Sequence, residues 1–139
     1  MSNEKQPKMK KIILTFLTLL TLATYGQTDK DKALKMGKEA IKKMENGNTR
    51  EAIKLLEQAK ELDPEDIDYP YEIAYAHYLD ENYKEAIKIL KRLTNHDQVK
   101  DKIYQMLGNS YDMDGKPEKA IETYDKGLEL FPESGILHL

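Results

Sequence analysis

EAIKLLEQAKELDP at residues 51–64 returns twice, as EAIKILKRLTNHDQ at 85–98 and as KAIETYDKGLELFP at 119–132, each time 34 residues further on. A fixed period of this size marks a chain built from stacked copies of one supersecondary unit. Apolar residues recur at helical spacing in each copy: Ile53, Leu56 and Ala59 in the first, Ile87, Leu90 and Leu93 in the second. Each segment therefore has one face to bury. A single helical hairpin cannot bury such a face alone, so consecutive hairpins must stack and cover one another. The expected fold is all-α, an α-α superhelix (solenoid) of three helix-turn-helix hairpins plus the start of a fourth.

Working outward from the repeated stretch, the copies occupy 33–66, 67–100 and 101–134, with 27–32 leading in and 135–139 opening a truncated fourth. In the first copy, Thr28 is the expected N-cap, Gly47 suits a left-handed turn and Thr49 is placed to cap the second helix. Asp63-Pro64 stops that helix. In the second copy Pro70 falls in a first turn, Asn82 is the expected cap, and Gln98 replaces the closing proline. Ala40, Ala52, Ala59, Ala74, Ala86, Gly108, Ala120 and Gly127 are small where helices must approach closely.

The third copy is the clearest. Tyr104, Leu107, Gly108 and Tyr111 share one helix face, Gly115 closes that helix, and Pro117 opens the next. Ala120, Tyr124 and Gly127 follow before Phe131-Pro132. This order of aromatic, Leu-Gly, Tyr, Ala, Tyr and Pro resembles the tetratricopeptide repeat, over 33–134 and on into 139. The first copy departs from it, with Glu39 and Lys43 where the third has Leu107 and Tyr111. Polar residues there suit an end copy with no neighbour to cover it, and a decayed repeat is the other reading.

The resemblance implies a concave groove, lined by the first helix of each hairpin, that holds peptides or partner helices. On it would stand Tyr71, Tyr75 and Tyr78 of the second copy, at i, i+4 and i+7. Gln105 and Asn109 of the third would stand beside Lys102 and Asp112, and Leu34, Gly37, Ile41 and Met44 would come from the first. Tyrosine joins a rigid apolar ring to a hydroxyl, which suits binding surfaces, although such rings also serve simply as packing between helices. Some members of this family grip a C-terminal carboxylate with Lys, Asn and Arg. Here only Asn109 and Lys102 could serve, and Tyr71 and Tyr75 occupy two of the other places. That clamp is not expected; an extended or helical peptide, neutral or mildly basic, fits better.

Composition narrows the partner class. The chain holds 22 basic and 25 acidic residues; the first 26 positions carry four and one of these, leaving 18 against 24 in the remaining 113. No basic stripe interleaved with aromatics is expected, so nucleic acid is a poor partner. There is no cysteine, which removes disulfides, thiolate chemistry and cysteine-based metal sites. His77, His96 and His138 have no second ligand at metal spacing, and His77 reads as packed with Ile73 and Ala74. Ser110 is mid-helix rather than on a nucleophile elbow. Neither enzyme activity nor a cofactor nor a metal is expected.

Met9-Lys10-Lys11 precedes IILTFLTLLTL at 12–22, eleven uncharged residues, and then Ala23-Thr24-Tyr25-Gly26-Gln27. A basic start, a short apolar run and small residues at the end read as a secretory leader over 1–26, with Met9 as a second possible start. A span would need about 20 apolar residues. A buried helix and an uncleaved membrane anchor stay open beside it. The ending Tyr-Gly-Gln resembles leaders of Bacteroidetes, which implies the periplasm or the cell exterior. The expected function is an exported scaffold for protein or peptide partners. Two alternatives are the regulatory module of a longer enzyme or sensor and a self-associating array. Ser134 would cap the next hairpin, and the face of Ile121, Tyr124 and Leu128 would lack cover, which implies self-association or continuation of the chain beyond Leu139.

Overall fold

A computed structural model describes residues 6–138, with side chains from Tyr25 onward. Among them are six helices and no strand: α1 (Gln6–Glu45), α2 (Thr49–Leu62), α3 (Asp68–Leu79), α4 (Tyr83–Leu93), α5 (Asp101–Met113) and α6 (Pro117–Leu130). Each helix packs on the next, and the first helices also touch, α1 on α3 and α3 on α5. That double adjacency produces a superhelix of hairpins.

The turn inside every hairpin is the same. Gly47 and Gly115 take φ of 76° and 73°, and Glu81, one period from each, takes 58°. In all three, the next N–H closes onto a carbonyl five residues back: Asn48 to Lys43, Asn82 to His77 and Lys116 to Tyr111, at 2.8–2.9 Å. Left-handed backbone costs a non-glycine residue roughly 1–2 kcal/mol. The stacking of α3 and α4 therefore imposes on Glu81 a geometry its own preference opposes.

The expected side-chain caps are replaced by other contacts. Thr28 lies inside α1, where its hydroxyl donates to the Tyr25 carbonyl, because no proline or turn sequence breaks the helix before it. Thr49 is the first residue of α2, and its Oγ1 donates to Asp80 Oδ1 at 2.6 Å, joining the turns of the first two hairpins. Asn82 precedes α4, but its amide meets His77 at 3.4 Å and caps nothing.

Two apolar clusters form the core. One joins the first hairpin to α3 through Met44, Leu56, Tyr69 and Ile73; the other joins α3, α4 and α5 through Leu90, Ile103 and Leu107. Ala40, Ala52, Ala59, Ala74 and Ala86 are fully buried, and Ala120 nearly so. Glycines admit large rings: a Cβ on Gly108 would stand 2.2 Å from the Tyr124 ring, and one on Gly127 would stand 2.8 Å from Tyr104 and 2.9 Å from Leu137.

After α6 the chain forms a turn over the last described residues rather than a new helix. Ser134, the expected cap, donates its hydroxyl to Asp101 at 2.7 Å. Leu137 is buried one period after Ile103 and covers part of α6, whereas Ile121 stays 60% exposed. These described residues close as a turn, with Leu137 on the apolar surface beside Gly127.

Candidate partner-binding groove

The side formed by the first helices contains a cavity of about 420 Å³ between α1 and α3. Ile41, Met44 and Glu45 line it from α1, and Glu72, Tyr75 and Leu79 from α3. Helical spacing makes the α3 wall, since 72, 75 and 79 fall at i, i+3 and i+7. Ile41 and Leu79 are 41% and 43% exposed, so the rim is apolar and open. Tyr75 packs against both core clusters and lends the cavity a fixed ring.

The other two tyrosines of the expected stripe are engaged differently. Tyr71 lies under Lys102, whose ammonium stands 4.1 Å above the ring centre. Burial first, then the neighbouring Glu72, Tyr75 and Asp68, pushes the Tyr71 hydroxyl up to about 12. Tyr78 meets Tyr83 of α4 edge to face, with ring centres 5.4 Å apart. Gln105 donates to the Ile136 carbonyl at 3.1 Å, and Asn109 accepts from the Tyr124 hydroxyl at 2.6 Å. Tyr75 is thus the one residue of these five that lines the cavity.

Lys102 also reaches Asp68 at 2.8 Å, as does Lys100. Burial of Asp68 opposes its charge, but the two lysines outweigh this and hold the carboxyl below its ordinary value. The two residues that a carboxylate clamp could have used, Asn109 and Lys102, both have partners within the chain. Helical hairpins approach closely enough for long polar side chains to reach the next helix, and spacing along the sequence does not reveal this.

Glu72 and Glu45 are the charged groups of the cavity. Among the described residues neither forms an ion pair; Lys102 acts on Glu72 only from a distance. Burial raises the Glu72 carboxyl above its ordinary value; Lys102 opposes that rise and Asp68 adds to it. Sequence reasoning found Ile41, Met44 and Tyr75 but missed Glu45, Glu72 and Leu79, because it followed the tyrosine stripe rather than the one beside it.

Elsewhere, His77 is partly buried at a cavity of about 350 Å³ between α2, α3 and α4, with Glu57, Glu85 and Arg92 in the lining. Lys84, Lys88, Lys91 and Arg92 line a shallow depression on α4, so a local basic face exists where none was expected. Its residues recur along one helix, and overall acidity conceals them in a count. No group of His, Cys, Asp and Glu among the described residues is arranged to hold a metal ion.

Comparison with known proteins agrees with this architecture. Tetratricopeptide repeat profiles match residues 43–111 and 101–134. No curated protein matches the sequence. Among solved structures, the N-terminal domain of stress-induced protein-1 from C. elegans superposes with a TM-score of 0.67 at 17% identity, covering 78% of this chain and 91% of that one. The first repeat domain of Spaghetti (RPAP3), bound to the HSP90 peptide SRMEEVD, gives 0.69 at 23%, covering 78% and 88%. The crystal structure of MamA gives 0.63 at 24%, covering 95% and 76%.

Proposed function

This chain belongs to the tetratricopeptide repeat family, a fold used for protein–protein interaction, and from that premise we propose that it is a non-catalytic scaffold. It holds a protein or peptide in the concavity between α1 and α3. The observation that carries this reading is the open apolar rim of Ile41 and Leu79 around a cavity walled by Tyr75. The RPAP3 domain of the same fold holds a peptide, which supports the class of ligand.

Ile41→Asp tests it. The position is half-exposed, so helicity should persist, while a charge in the cavity removes an apolar anchor worth about 2 kcal/mol or more, roughly thirtyfold in affinity. Proteins captured by the full chain from an envelope fraction should be missing from the variant's capture. Equal capture by both would show that this cavity is not the site.

Export belongs to the same proposal. It is supported by the basic start and short apolar run of the N-terminal segment. Protein purified from its native cells should begin at or near Gln27. A cytosolic product retaining Met1 or Met9 would overturn export and leave the groove reading untouched.

A further inference from the structure

We propose that the cavity between α1 and α3 selects a peptide presenting an apolar side chain next to a lysine or arginine. The inference rests on the groove reading above and specifies its ligand. Each wall supplies both halves of such a site. Ile41 and Met44 of α1 face Tyr75 and Leu79 of α3, and each helix adds one carboxylate, Glu45 and Glu72. An apolar residue would exclude water from the exposed Ile41 and Leu79 and the partly open Tyr75, over the buried Met44, and the adjacent cation would stand between the two acids.

The charge pattern fits this occupant and opposes an acidic one. Lys102, the cation that acts on Glu72, lies over the Tyr71 ring and bonds to Asp68. An incoming anion drawing on Lys102 would have to displace these contacts, whereas an incoming cation meets carboxylates with no ion-pair partner among the described residues. The half-buried Glu72 carboxyl already bears a desolvation cost, visible in its raised pKa. A ligand cation would offset that cost. A charge left unpaired at a half-buried position destabilises the free protein, which is a common feature of binding sites.

Selection from a random twelve-residue peptide library displayed on phage, with the immobilised full chain as bait, tests the proposal. Enriched sequences should combine Leu, Ile, Met or an aromatic with Lys or Arg within a few residues. Synthetic peptides of those sequences should lose about tenfold in affinity toward Glu72→Gln and toward Glu45→Gln. They should bind unchanged to Glu61→Gln, an exposed acid of α2 away from the cavity. The Glu72→Gln protein should also melt no lower than the parent at neutral pH. A group whose pKa is raised on folding costs stability once ionised, and the amide removes that charge. This separates lost binding from lost fold.

Enriched peptides that are acidic or uncharged, yet fail to bind Ile41→Asp, would overturn the cation preference and leave the groove standing. Peptides that bind Ile41→Asp as well as the parent, or the absence of any enrichment, would overturn both readings.

Discussion

Gly108→Leu should lower the stability of the chain by about 3 kcal/mol, at the upper end of what overpacking costs. The helix propensity of the new residue pulls the other way, because glycine inside a helix costs about 1 kcal/mol relative to alanine. Packing wins. The first added carbon would sit 2.2 Å from Tyr124 Cε1 and 2.5 Å from Cζ, closer than carbon atoms can approach. The tyrosine ring must then leave, and its hydroxyl bond to Asn109 goes with it. The third hairpin is the packing of α5 on α6, and Tyr124 lies at that seam. Denaturant unfolding with Gly108→Leu, Tyr124→Ala and the double variant provides the measurement. The double variant should be less damaged than the sum of the singles, since removing the ring removes the clash. Strict additivity, or an unchanged Gly108→Leu midpoint, would show that the two residues do not meet.

Tyr104→Ala is the second large effect, at about 3–5 kcal/mol, in the range for removing a buried aromatic. Tyr104 is 2% exposed and the largest fully buried side chain of the molecule's described part. Its Cβ rests on Gly127 of α6, and its ring leans on Phe131 with centres 6.2 Å apart. Leu137 meets the same glycine. Deleting the ring thus loosens α5, α6 and the final turn together. A thermal melt should fall far more than for Tyr71→Ala, whose ring is partly open to water under Lys102. Similar losses for both would mean that the burial difference between these two tyrosines does not govern stability. Hydrogen exchange gives a second check, since amides of α5 and α6 should lose protection before those of α1 and α2.

The period of 34 residues, the placement of α2 to α6 and the closing glycines were legible in the chain. Their causes are local: apolar spacing fixes each helix face, and Gly47 and Gly115 accept a backbone that other residues resist. Glu81 adopts the same backbone with no glycine to announce it, because two helices already committed to packing leave the connecting residue no other conformation. The start of α1 was misjudged for the converse reason. Thr28 can cap a helix or sit inside one, and its surroundings decide.

The groove divides in the same way. The sequence alone determined that hairpins stack and that Ile41, Met44 and Tyr75 recur at helical spacing, and its resemblance to the family implied that the first helices share a side. Only the tertiary structure decided that Asn109 and Gln105 turn to partners within the third copy and its closing turn, and that Lys102 settles over Tyr71. The pairing of Glu45 with Glu72 across one cavity was decided there as well. Periodicity follows from hydrogen bonds and side-chain order within one helix. Which stripe of one helix faces which stripe of the next depends on the rotation between hairpins, set by whether a glycine, an alanine or a ring fills each contact.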